Sequence, residues 1–249
     1  MKTAVALVSL VAAGGQSFVI PADDALILTK ASSSACANVT CVPSSGGAHI
    51  IISRASTEAA GTGVLGYVSD AIVSACPSSD VAANPYPALL DPYLPSETAG
   101  VGNLTEMVIS YQACCPDSQI VLMGYSQGAQ VTADFLCGRS SSGFPPTPPY
   151  ASLVADSVSA VVLMGDPSFV KGQSWDRGNA SNVSYFPRLD NAACEPVAQQ
   201  FISYCDSGDY FCDNGTSADA LAIHEGYVQE YGSEAATYVI EHIDGCSGL

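Results

Sequence analysis

Positive charge is scarce in this chain. Only 7 of its 249 residues are Lys or Arg, against 24 Asp or Glu, so the formal net charge is −17. A surface so acidic repels phosphate backbones and anionic lipid, which argues against nucleic acid as a partner and against stable membrane association. Long apolar runs are missing beyond the N-terminus, and the one found there is too short to span a bilayer. Metal-ligand spacing is missing as well. Neither Cys-x-x-Cys nor His-Glu-x-x-His occurs, so the expectation is no metal and no cofactor. A run of glycines, Gly61-Thr62-Gly63-Val64-Leu65-Gly66, imitates the dinucleotide fingerprint. It begins eight positions after Ser53, where the preceding strand ends, too far for the tight turn that fingerprint demands. It reads as a loop opening a helix.

Cysteine, in contrast, is abundant. Ten cysteines, an even count, predict disulfides in an oxidising compartment. Lys2 precedes the apolar run Ala4 to Ala13, and small residues follow to Gly15, so residues 1–15 read as a signal peptide. Residues 16–40 lack periodicity and read as a pro-segment or loose N-terminal tail, and 41–249 as one domain. The protein is expected to be secreted and extracellular, with a monomer as the default. Five Asn-x-Ser/Thr sequons, at Asn38, Asn103, Asn179, Asn182 and Asn214, are candidate glycosylation sites.

Periodicity sets the fold class. Apolar runs at 48–53, 120–123, 160–164 and 201–204 read as strands buried on both faces, with a further short strand near 81–86. Helical spacing at 64–75, 104–114, 129–137 and 226–242 alternates with them. Prolines, tyrosines and serines make 77–102 read as turns, four prolines make 140–150 a surface loop, and 171–193 is a polar loop. The pattern predicts a three-layer α/β/α sandwich around a parallel sheet, with the active site at the carboxyl ends of the strands.

At the end of the 120–123 run stands Gly124-Tyr125-Ser126-Gln127-Gly128. A strand before it and a helix after it give the context of a nucleophile elbow, in which Ser126 Oγ is pushed out at the sheet edge. A serine nucleophile needs a base. Of the three histidines, His49 lies inside a strand and His242 in the last turn of the closing helix. His224 comes late in the chain after a polar loop, the place for a base in the order serine, acid, histidine. Asp206, Asp209, Asp213 and Asp219 all qualify by position as the acid, and spacing does not choose among them.

Three separated motifs, Gly124-Tyr-Ser-Gln-Gly128, Arg54-Ala-Ser-Thr-Glu58 and Cys205-Asp-Ser-Gly-Asp-Tyr-Phe-Cys212, together resemble the fungal cutinase and acetylxylan esterase family over most of residues 41–245. The resemblance implies a lidless, cutinase-like α/β-hydrolase fold. It implies Ser126, Asp209 and His224 as the triad, Ser56 and Gln127 as oxyanion donors, and the pairs Cys41–Cys115 and Cys205–Cys212 as disulfides. Tyr210 departs from the pattern, standing where the family usually has Pro, and the stretch from Asp209 to His224 is slightly longer.

The expected chemistry is two-step acyl transfer on a polysaccharide or polyester. Gly165-Asp166-Pro167-Ser168-Phe169 and the residues from His224 to Glu234 look more like the acetylxylan esterase branch. Gly128-Ala129 and Ser56-Thr57-Glu58 look more like cutinase. The balance leans to acetyl esters, with cutin hydrolysis as the alternative. A catalytically silent elicitor or wall-binding protein would carry a broken triad, and a glycosidase needs two carboxylates facing one cleft, which no spacing here singles out.

Overall fold

The computed structural model describes residues 36–246, so the signal-peptide reading and all but the end of the tail reading lie outside the described residues. Six strands form one sheet, in chain order β1 (His49–Ser53), β2 (Asp80–Ala83), β3 (Ile120–Tyr125), β4 (Val158–Met164), β5 (Asp176–Arg177) and β6 (Phe201–Tyr204). The spatial order is β2-β1-β3-β4-β6-β5 and every pairing is parallel. Successive residues point to opposite faces, so each central strand feeds two cores. Ile50, Ile52, Val121, Met123, Val162 and Met164 enter one with Leu65, Val68, Ile72 and Val239. Ile51, Leu122, Val161 and Leu163 enter the other with Leu104, Val131 and Phe135.

Helices α1 (Gly66–Ala75) and α6 (Tyr227–His242) cover the first face. Helices α2 (Tyr93–Cys114) and α3 (Gln127–Cys137), with the single turn α4 (Ala151–Val154), cover the second. A short helix α5 (Ala220–Glu225) precedes α6. Five disulfides close the structure: Cys36–Cys114, Cys41–Cys115, Cys76–Cys246, Cys137–Cys194 and Cys205–Cys212.

The structure corrects the reading of 77–102 as turns. Helix α2 begins at Tyr93 and runs unbroken to Cys114. Pro95 sits at its third position, where the missing N–H would have no intrahelical partner anyway. Gly100, a helix weakener in isolation, lets α2 approach α3: a Cβ there would lie 2.7 Å from Val131 Cγ2. The polar loop 171–193 holds the edge strand β5, two residues too short for any periodicity. A 3-10 segment (Ala192–Gln200) was not anticipated either.

Candidate active site

The turn from β3 into α3 is tight enough to strain its central residue. Ser126 has φ 53° and ψ −119°, an unfavourable region for any side chain with a Cβ. Its glycine flanks permit the turn. A Cβ on Gly124 would lie 2.4 Å from the Gly128 carbonyl oxygen, and one on Gly128 2.0 Å from that of Ser53. The Ser126 amide is anchored to the Met164 carbonyl of β4 at 2.8 Å. Ser126 Oγ is thereby presented at the carboxyl edge of the sheet.

His224 Nε2 lies 2.8 Å from Ser126 Oγ, and His224 Nδ1 lies 2.8 Å from Asp209 Oδ2. Both side chains are almost wholly buried. Asp209 Oδ1 already accepts the amides of Phe211 and Cys212, at 2.6 and 2.7 Å. A carboxylate so held can only accept from Nδ1, which puts the imidazole proton on Nδ1 and leaves Nε2 free to take one from the serine. His224 lies in the last turn of α5, whose position is fixed where Tyr125 Oη donates to the His224 carbonyl at 2.6 Å.

The other candidate acids have different employment. Asp213 accepts the amides of Asn182, Ser181 and Gly208. Burial opposes its charge, but these bonds outweigh it and hold its carboxyl below the usual range. Asp206 accepts from Tyr231 Oη and the Asn179 amide, and Asp219 precedes the first turn of α5. Of the two remaining histidines, His49 binds Asp80 and stacks on Tyr111, and His242 Nδ1 donates to the Tyr238 carbonyl. Neither approaches the serine.

Opposite His224, the Arg54–Glu58 loop is braced from within. Arg54 Nε donates to the Glu58 carbonyl and its NH2 group to the Tyr86 carbonyl, while Tyr86 Oη donates back to the Arg54 carbonyl. The Glu58 carboxylate accepts the amides of Ala55 and Val64, each at 2.7 Å. The glycine turn 61–66 thus wraps a carboxylate of its own chain. Ser56 Oγ, supported by this loop, is a buried hydroxyl with no hydrogen-bond partner among the described residues. Such an atom is costly unless something else fills its valence. The Gln127 side chain is tied at both ends, accepting from Ser96 Oγ and donating to the Leu89 carbonyl, which fixes the elbow against α2.

The family model described as Cutinase matches residues 44–243. The chain belongs to the cutinase family. It is 34% identical to acetylxylan esterase 2 of Talaromyces purpureogenus over 201 residues, 77% of this chain and 84% of that one. It is 33% identical to cutinase 11 of Verticillium dahliae, covering 77% of this chain and 67% of the relative. The solved catalytic core domain of acetyl xylan esterase from Trichoderma reesei superposes with a TM-score of 0.71 at 30% identity, over 79% of this chain and 98% of that one.

Two features of this cutinase-family site escaped sequence reasoning. Gly165, at φ +62°, lies against the imidazole: a Cβ there would stand 2.8 Å from His224 Cε1. In the sequence it stood only at the end of a strand and at the head of the Gly165–Phe169 motif, with nothing to place it against the histidine. The second is a buried polar layer behind the elbow. Arg188 pairs with Asp134 at 2.6 Å and donates to Ser168 Oγ and to the Gly138 carbonyl. Burial, then the neighbouring Asp134, pushes Glu97 up to about 9, and burial pushes Asp166 up to about 6 despite Arg188 and Ser168. No local motif announces a charge pair whose members are 54 positions apart. Among the sequons, Asn38, Asn179, Asn182 and Asn214 are exposed, whereas Asn103 lies within α2, half-buried, and donates to the Pro85 carbonyl.

Proposed function

We propose that the protein is a serine carboxylic-ester hydrolase working by two-step acyl transfer. The observation that carries this reading is the continuous chain Asp209–His224–Ser126, with both links at 2.8 Å and the serine on a strained elbow. His224 Nε2 takes the Ser126 proton as Oγ attacks the ester carbonyl, and Asp209 stabilises the imidazolium that results. The tetrahedral oxyanion is received by the amides of Ser56 and Gln127 and by the unpartnered Ser56 hydroxyl. His224 returns the proton to the departing alcohol, leaving an acyl-enzyme. Water, deprotonated by His224, attacks the acyl carbonyl, and the carboxylic acid leaves as Ser126 recovers its proton. These steps call on no metal or cofactor.

The substrate read here is an acetylated plant cell-wall polysaccharide, supported by the likeness to proteins named acetylxylan esterases. A second reading, a cutin-type polyester, is favoured by Leu89, Leu90 and Leu94, exposed apolar side chains beside the Gln127 anchor. Five disulfides suit secretion, and no helix among the described residues is long and apolar enough to cross a membrane. The test is hydrolysis of p-nitrophenyl esters from acetyl to long-chain acyl, with Ser126→Ala alongside. Activity confined to acetyl and abolished in the variant is expected. A maximum at butyrate or longer would move the substrate to polyester, and no Ser126-dependent turnover would end the esterase reading.

A further inference from the structure

In the mechanism above, His224 must hand its proton to the leaving alcohol while the carbonyl oxygen faces Ser56 and Gln127. The alcohol half of the ester therefore lies on the His224 side of Ser126. What lines that side is aromatic. The Phe211 ring stands 4.7 Å from the His224 ring, with the Tyr210 ring 4.8 Å and the Tyr185 ring 5.8 Å from Phe211. The Tyr185 amide donates to the Phe211 carbonyl at 2.9 Å, joining the 171–193 segment to the Cys205–Cys212 loop. Tyr185 and Tyr210 lie nearly parallel, 19° apart with centroids at 6.0 Å, and remain 47% and 39% exposed.

Two large rings stacked on one another and still this exposed are an unusual use of surface, and such patches mark contact sites. We propose that Tyr185 and Tyr210 form a stacking platform for the sugar ring that bears the scissile ester. The inference rests on the acetylated-polysaccharide reading above. A pyranose has apolar C–H faces and hydroxyl edges, and tyrosine offers the complement, an apolar face with a polar tip. The surroundings call for an uncharged occupant. Val183, two positions before Tyr185, and Leu221, next in the chain to the Ala220 whose carbonyl accepts the Tyr210 amide, are exposed apolar side chains, and the nearby Asp209 and Asp213 are buried and already hydrogen-bonded. An acyl chain is better served across the serine, where Leu89, Leu90 and Leu94 are exposed and no hydroxyl-bearing ring is needed.

The test separates alcohol recognition from acyl transfer by holding the acyl group constant. The ratio of kcat/KM for an acetylated xylo-oligosaccharide to that for ethyl acetate, which carries no ring, is expected to fall about tenfold in Tyr185→Ala and Tyr210→Ala. The loss is expected in KM, with Tyr185→Phe keeping most of the ratio. A ratio unchanged in both alanine variants overturns the platform. Calorimetric titration of unacetylated xylohexaose into Ser126→Ala decides the matter independently of turnover. Binding weakened by adding Tyr185→Ala supports the platform. No binding, or binding indifferent to Tyr185, overturns it, whereas failure of the esterase reading would show only as absent ester turnover.

Discussion

Single atoms carry much of this site. Gly165 faces His224 so closely that one methyl group must move the imidazole, and its φ of +62° adds backbone strain to any replacement. Gly165→Ala is therefore expected to lower kcat/KM by roughly a hundredfold, since a displacement of about 1 Å at a catalytic group costs that much. Circular dichroism should show the fold retained, and full activity would refute the contact. Ser56 poses a complementary case. In the proposed mechanism its unpartnered hydroxyl gains a bond only when an oxyanion forms, so Ser56→Ala should reduce kcat by about 10²–10³ with little change in KM. A rise in KM at constant kcat would mean that Ser56 binds the ground state instead.

At the scale of elements, the disulfides divide their work by the chain they span. Cys205–Cys212 bridges a separation of 7 residues and Cys76–Cys246 one of 170. In the chain-entropy account, the longer loop restricts the unfolded state more. Replacing Cys76 and Cys246 by Ser should lower Tm further than replacing Cys205 and Cys212. Activity should follow the opposite order, because the small loop aims the Asp209 carboxylate through the amides of Phe211 and Cys212. Arg188 couples α3 to the long 171–193 segment in a different way. Arg188→Met leaves Asp134 buried with its countercharge gone and is expected to cost about 3–5 kcal/mol in denaturant unfolding.

The same scale shows what could be read in advance. Strands β1, β3, β4 and β6 were legible because continuous β-branched and apolar runs have one stable use, burial between two helix layers. The elbow was legible because its glycines answer to backbone sterics alone. The early half of α2 was not, since its proline and glycines are tolerated only through helix position and contact with α3. Spacing alone left the acid ambiguous for a related reason, and only the family resemblance pointed to Asp209. Four aspartates share one polar stretch, and only three-dimensional packing sends Asp209 to the imidazole and Asp213 to the amides of 181 and 182.

Across the whole molecule, buried acids make stability depend on pH in an unusual direction. Glu97 rises to about 9 and Asp166 to about 6, burial being the leading cause for both, and Asp134 is raised by burial against the pull of Arg188. An acid whose folded pKa exceeds its unfolded value binds more protons when folded, so its contribution is complete below the unfolded pKa and is lost as pH rises. For Asp166 that loss runs from about 4 to about 6, and for Glu97 from about 4.5 to about 9. Asp213, held low, acts in the opposite sense only at more acid pH. A net charge of −17 at neutrality adds self-repulsion that protonation relieves. Tm should therefore fall steadily as pH is raised from about 4.5 to 9, as measured by calorimetry. Glu97→Gln, which keeps a neutral polar group of the same shape at every pH, should flatten the curve between about pH 6 and 9. If Tm instead climbs over that interval in the parent protein, Glu97 is ionised in the folded state and the buried layer is charged differently from the arrangement described.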